Sequence, residues 1–465
     1  MKAPKSLLLA SALLALLAAG CRRSATVGEL NIVPEPLFSV QKEGTFTLSN
    51  TPKLSVVGLG QNSPAVKYIM QAMRHAHLHP RLVPSSAHSD IEFSVYDTVN
   101  PELGDEGYLI EVRSDGISLR ANGEAGLFYA FQTLVQMLPP DMTEVNYRTV
   151  VLPECTVLDR PRFAWRGVQL DAAHLSFSSK EIRRWVDVMA MYKMNRLHLT
   201  FNFDDENFDS DELAQLLGYA SDRHVRVVPE LCDTADTDSL LRFFGFAEGE
   251  LPVLCRTHRG ALDSARADMH VVFSPDECFD LARYQADPRY QPAATVGLAT
   301  LERVYAFEPA PVGTNTHVVA NLKGGMCRLG TELIASTQQA EYMLLPRMLA
   351  VSECLWSQPA RRDWMRFRRK VEEQKERLDV KGYAYCDGSF TPQFTVRRVD
   401  DEMVNISITT EVPNTYIFYT TDLGTPTRQS SIYLGPVNLR RGTHIKILPV
   451  YKDQERDSVY EYIIK

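Results

Sequence analysis

Carboxylates and imidazoles gather where the apolar strand patterns of this chain give out, the place at which a parallel α/β fold presents its chemistry. The run MNRLHLTFNFDDE (194–206) alternates Leu197, Leu199 and Phe201 against His198, Thr200 and Asn202, then reaches Asp204-Asp205. VRVVPEL (225–231) carries Glu230 at its end and leads into Asp233-Thr234-Ala235-Asp236. RGVQLD (166–171) is followed by His174, VVFSP (271–275) by Asp276-Glu277, and Gly330-Thr331 by Glu332. Such groups accept a ligand's hydroxyl protons or trade a proton with it. Each also has a plain structural use. Asp204 and Asp205 bind a ligand or cap the loop after their strand, and Glu332 grips a hydroxyl or begins a salt-bridged helix. His174 and His198 contact a ligand or are satisfied core histidines, and Glu230 is a structural carboxylate or a ligand contact. Asp236 and the Asp276-Glu277 pair are the remaining places for a displaced acid.

The elements that must hold these groups are legible. In 166–206 a strand, a helix and a second strand follow one another, with Ser178 and Glu181 spaced as a capping box and Ile182, Trp185, Val186 and Met189 as the buried stripe. Further strands are expected at 225–229, 252–255, 270–273 and 321–327, and helices at 337–356 and 363–378. Before them, 31–150 reads as a mixed α/β domain with strands at 92–96, 108–112 and 117–121. A helix follows at 125–138, ended by Pro139-Pro140. After them, 390–465 reads as a small antiparallel sandwich, with strands at 404–410, 416–421 and 445–451.

The chain has 465 residues, 45% of them hydrophobic, and a net charge of −8 without long runs of one sign. That excludes the basic footprint of a nucleic-acid partner. Residues 1–21 read as a lipoprotein signal: Lys2 and Lys5, an apolar run from Leu7 to Ala19, then Ala-Gly-Cys with Cys21 as the lipidation site. The other seven cysteines are scattered without a CxxC pair, which indicates neither a disulfide framework nor a zinc site. No metal and no organic cofactor is implied.

Taken in order, GYLIEVRSDGISLRANGEAGLFYAFQTLVQML (107–138), RGVQLD, MNRLHLTFNFDDE, VRVVPEL, VVFSP, EYMLLPRMLAVSECLW (341–356) and FYTTDLGTPT (418–427) resemble glycoside hydrolase family 20, the β-N-acetylhexosaminidases. The resemblance implies an N-terminal α/β domain (31–150), a TIM-type (β/α) barrel (160–380) and a C-terminal β-sandwich (390–465). It also implies a mechanism in which the substrate's own acetamide attacks the anomeric carbon, an exception to the two-carboxylate scheme. A Glu of raised pKa protonates the leaving oxygen and a neighbouring Asp orients the acetamide.

That catalytic pair follows the family's fourth strand in a Gly-Gly-Asp-Glu-like motif, and this chain has none. Between Leu231 and Pro252 stand only 20 residues, room for one crossover but not for two further strand–helix units. The expected fold is therefore a truncated barrel of about six strands, either closed at six or with its gap covered by residues 232–251. Other family positions depart too. His174 stands for an Arg after the first strand, Cys255 for a Trp, Asp280 for the acetamide-binding Tyr, Ala282 for a hydroxyl-binding Asp, and Gly330 for the Trp beside Glu332. Trp165, Trp185, Trp356 and Trp364 fall at framework positions.

The functional expectation is a secreted family homologue, lipid-anchored through Cys21 to a bacterial outer membrane or periplasmic, with no catalytic residue intact. Its partners are glycans with terminal N-acetylhexosamine, and its substrate-binding candidates are Asp204, Asp205, Glu332, His174 and Asp236. The alternatives are an active enzyme using displaced carboxylates such as Asp236 or Glu277, a non-catalytic glycan-binding module, or a drifted remnant.

Overall fold

A computed structural model describes residues 24–171, 175, 177–201, 210–231, 244–246, 251–267, 269–455 and 459–464. Contacts divide the chain into two units, one of residues 1–32 and 36–160, the other of residues 33–35 and 161–465.

The first unit is built on an eight-stranded mixed sheet. Long strands Phe38–Ser49 and Thr149–Asp159 pair antiparallel, and Tyr108–Arg113, Gly116–Ala121, Ile91–Val95 and Lys53–Val57 continue the sheet. Helix Glu124–Met137 buries Leu127, Phe128, Phe131 and Leu134 against it. A Cβ at Gly126 would lie 2.4 Å from the Gly107 carbonyl oxygen, so only glycine lets the helix approach the backbone this closely.

In the second unit the barrel strands, in chain order, are Trp165–Leu170, Arg196–Phe201, Arg226–Leu231, Val253–Cys255, Val271–Phe273 and Leu322–Leu329. All their pairings are parallel and the sheet order is third, second, first, sixth, fifth, fourth. This is the cyclic order of a barrel, with the last strand returning to the first and a break between the third and the fourth. Among the described residues the sheet does not close at six. Most of residues 232–251, expected as the cover, lie outside the described residues; within them Phe244 and Phe246 are buried, and the Arg226 guanidinium lies 3.7 Å from the Phe246 ring centre.

The two faces of this sheet differ in character. Val168, Leu170, Leu197, Leu199 and Val227 are buried beneath the helices. Arg166 shares that side, its guanidinium over the Trp356 ring. The opposite, concave face carries Trp165, Gly167 and Gln169 beside Arg196 and His198, with Met326 and Arg328 on the other flank by register. Barrel interiors are ordinarily filled with bulky branched side chains. Here arginine, histidine and glutamine share that face with the buried Trp165, Val228 and Met326.

The helices follow their local signals. Ser178 Oγ accepts from the Glu181 N–H and the Glu181 carboxylate accepts from the Ser178 N–H at 2.8 Å, the capping box the spacing requires. Helix Trp364–Val380 is capped by Asp363, which accepts from the Arg366 N–H at 2.7 Å. The stretch expected as one helix over 337–356 is two, Thr337–Leu344 and Arg347–Trp356. Pro346 between them has no N–H to continue the ladder.

The C-terminal strands form two small antiparallel sheets, Gln393–Arg398 with Met403–Thr409 and Val437–Arg440, and Tyr416–Thr420 with His444–Tyr451 and Tyr460–Ile463. Val404, Ile406, Ile408, Ile417, Ile445 and Ile447 meet between them. The alternation of apolar and polar residues read in the sequence is the cause. No helix among the described residues is long and apolar enough to cross a membrane.

Candidate functional site

The C-terminal ends of the six parallel strands meet at one mouth, where folds of this type bind ligands. Glu332 follows the last strand and is exposed. Its neighbour Thr331 is buried and donates through Oγ1 to the Asp171 carbonyl at 2.7 Å, tying the ends of the sixth and first strands together. Asp204, Asp205, His174 and Asp236 lie outside the described residues, as does Cys21. His198 is on the concave face, its ring 5.5 Å from that of Trp165. Its Nε2 is buried with no hydrogen-bond partner, and burial pushes its pKa down to about 3. It is a buried, neutral imidazole packed on the inner face, as the core-histidine alternative expects, with Nε2 left over.

Another constellation at the mouth has little signature in the sequence. Arg328, at the end of the sixth strand, donates to Asp280 Oδ2 at 3.0 Å and lies 3.4 Å from Asp276 Oδ1. Arg256, one residue beyond the fourth strand, approaches the same Asp276 oxygen at 3.7 Å. Arg283 Nε stands 3.6 Å from Asp280. Three guanidiniums and two carboxylates thus alternate across the ends of three strands.

The segment that supplies Asp280 and Arg283 is fixed from below. Arg347 is fully buried and donates to the carbonyls of Leu281 at 2.7 Å, Ala299 at 2.9 Å and Arg283 at 3.0 Å. Burial lowers its pKa to about 10. Asp280 also pairs with Arg328 as an isolated parallel bridge, which sets both side chains on one face. Asp276 and Glu277 occupy the turn just after the fifth strand, Glu277 pointing to solvent and Asp276 engaged with the two arginines.

Two carboxyls are pushed up in pKa among the described residues, and neither belongs to the mouth. Glu353, on helix Arg347–Trp356, rises to about 7 through burial. It accepts from the Glu35 N–H at 3.0 Å. Glu411, in the turn between the two C-terminal sheets, is raised by burial as well and accepts from the Glu302 and Ser389 N–H groups. The tryptophans are equally distant from an aromatic-walled slot. Trp165 begins the first strand, Trp185 is buried on its helix against Phe177, Trp356 lies under Arg166 and Lys193, and Trp364 packs with Tyr305 and Phe367. Among the described residues no group of three or more His, Cys, Asp or Glu side chains is placed to hold a metal ion.

Comparison with known proteins decides the ancestry. Residues 29–160 match the model of glycosyl hydrolase family 20, domain 2, and residues 163–209 and 256–359 match the family 20 catalytic domain. The chain belongs to glycoside hydrolase family 20. Residues 406–461 match the Fn3-associated model. A β-hexosaminidase of Porphyromonas gingivalis is 21% identical over 574 positions, covering 90% of this chain and 73% of that protein. Since this chain has only 465 residues, the relative carries over a hundred residues within the matched span that have no counterpart here. The N,N'-diacetylchitobiase of Vibrio harveyi is 37% identical over 108 residues, 23% of this chain and 11% of that one. In fold, the N-acetyl-β-hexosaminidase of Streptomyces plicatus superposes with a TM-score of 0.66 at 19% identity, covering 77% of this chain and 97% of that one.

The family 20 catalytic match stops at residue 209 and resumes at 256. The parallel ladder is interrupted in the same part of the chain, between the strands ending at Leu231 and beginning at Val253. The expectation of a gap here comes from strand spacing set against the strand order and motif of the resembled family. Sequence reasoning missed the arginine–aspartate row, because Arg256, Arg283 and Arg328 lie far apart in the chain and only the parallel register gathers them.

Proposed function

We propose that this family 20 member binds glycans bearing N-acetylhexosamine without cleaving them at a useful rate, from a position held at a bacterial membrane surface by lipid on Cys21. One observation carries the reading: among the described residues the strand ladder is interrupted between the third and fourth strands, inside the stretch 210–255 that the catalytic-domain match skips, and the sequence there has no Gly-Gly-Asp-Glu motif. Loss of a general acid alone costs roughly 10²–10⁴-fold in rate. The described part of the mouth offers no carboxyl of raised pKa to replace it. Glu332, exposed at the end of the sixth strand, accepts a ligand hydroxyl in this reading, with Asp204, Asp205, His174 and Asp236 as the further contacts. Relatives named β-hexosaminidase and N,N'-diacetylchitobiase supply the ligand class.

Turnover of a chromogenic N-acetylglucosaminide tests the reading, and the expected rate is indistinguishable from buffer. Hydrolysis abolished by Glu277→Gln but not by Glu332→Gln would establish instead an active enzyme with a displaced acid. Fatty-acid labelling of the full chain in a bacterial host, lost in Cys21→Ser, tests the anchor.

A further inference from the structure

We propose that the row Arg256–Asp276–Arg328–Asp280–Arg283 is a binding site for the anionic substituent, a carboxylate or a sulfate ester, of an acidic glycan. The inference deepens the glycan-binding reading above and rests on it. Its first support is the charge balance within the row, three guanidiniums against two carboxylates. Asp280, nearly buried, meets Arg328 in a true hydrogen bond at 3.0 Å. Asp276 stands 3.4 and 3.7 Å from its two arginines, well beyond the 2.7–2.9 Å of a charge-assisted bond. One cation of the row is left without a close counter-charge.

The second support is the donor chemistry. Arg283 Nε faces Asp280 at 3.6 Å and Arg328 Nε is buried, so the Arg256 fork, on a side chain 43% exposed, is the part of the row open to a ligand. A guanidinium's planar fork suits carboxylate and sulfate oxygens.

Position is the third. Arg256 and Arg328 come from the C-terminal ends of parallel strands, and the Arg256 side chain is 43% exposed. Glu332 closes the same strand end as a carboxylate able to accept sugar hydroxyls. A cationic strip beside a hydroxyl-accepting group is what a sugar carrying both hydroxyls and a negative charge needs. A neutral aminosugar makes no use of the arginines.

Binding of the full chain to immobilised chondroitin sulfate, chemically desulfated chondroitin and a neutral chitooligosaccharide tests this. The expected order places one or both acidic polymers at least 10-fold above the neutral one, with affinity falling as salt rises. Retention by desulfated chondroitin assigns the carboxylate, and its loss assigns the sulfate ester. Arg256→Gln, at an exposed side chain whose ion pair is long, should fold normally and remove most of that preference. Arg328→Gln should remove it as well but leaves Asp280 short of a partner, so Arg256→Gln is the deciding variant. Neutral binding equal to acidic binding, or an acidic preference untouched by Arg256→Gln, overturns the inference while leaving the glycan-binding reading intact. Failure to bind any of the three overturns both.

Discussion

Glu353 gives the barrel unit a pH dependence that can be worked out from its surroundings. Its carboxyl is 2% exposed, accepts from the Glu35 N–H at 3.0 Å and lies 3.5 Å from the Tyr305 hydroxyl. Glu35, beside it, is held by Lys370 Nζ at 2.6 Å, by Arg366 at 3.3 Å and by Arg361 at 3.4 Å. The cations therefore gather on one carboxylate and burial dominates the other, raising Glu353 from an ordinary 4.5 to about 7. A proton bound more tightly in the folded chain than in the unfolded one stabilises the fold fully below the unfolded value. That stabilisation is lost as pH climbs from about 4.5 to about 7, and above 7 the contribution is flat. At about 1.4 kcal/mol per tenfold change in proton affinity, the whole effect is about 3 kcal/mol. Glu353→Gln keeps the shape and an acceptor for the Glu35 N–H but cannot ionise. Denaturant unfolding at pH 5 and pH 8 should show the variant about 1 kcal/mol more stable than the parent at the lower pH and about 3 kcal/mol more stable at the higher. His198, depressed to about 3, slopes the other way, contributing stability above its unfolded value that is lost as pH falls. It is common to both proteins and cancels in the difference. Parallel stability curves for parent and variant from pH 5 to 8 would refute the reasoning.

Arg347→Met should cost about 3 kcal/mol of unfolding free energy, because it strips three buried carbonyls of their donor. A loss under about 1 kcal/mol in denaturant unfolding would show that those carbonyls find other partners. Gly324→Ala should yield no soluble folded protein, since φ is +147° and a Cβ would stand 1.8 Å from the Trp165 carbonyl oxygen. Gly218→Ala is the control: its helical site is open, and the substitution should raise stability by about 0.5–1 kcal/mol in the same assay.

Most of the architecture was legible because the local signals agree with one another. The capping box at Ser178, the alternation in Arg196–Phe201 and the turn at Asp115-Gly116 each named an element that the fold contains. The six barrel strands followed from spacing, and their gap from spacing set against the resembled family. The break at Leu345-Pro346 was overlooked because the apolar periodicity runs across it, although the proline was there to be read. The long strand Phe38–Ser49 was hidden for another reason. It is mostly exposed and rich in polar residues, and its pairing with Thr149–Asp159 comes from over a hundred residues away. At the mouth, side-chain types were visible but their partners were not. An arginine after a strand says nothing of which aspartate it meets until register and loop path are known.

The concave face bears on whether the shortened barrel is an accident. An eight-stranded barrel seals its interior, and sealed interiors hold branched apolar side chains. A barrel that had lost two strand–helix units without further change would expose such residues to water, at about 25 cal/mol for each Å² of apolar surface. Here the inward positions of the first, second, third and sixth strands mix Gln169, Arg196, His198, Arg226 and Arg328 with the buried Trp165, Val228 and Met326. Arg196 lies over the Trp165 ring and Arg226 over Phe246, so a guanidinium covers aromatic surface at each place. Of the two edge strands, the fourth is only three residues long, Val253–Cys255, while the third runs for six, Arg226–Leu231. Polar groups on the inner face thus temper, without replacing, the apolar character of a sealed interior.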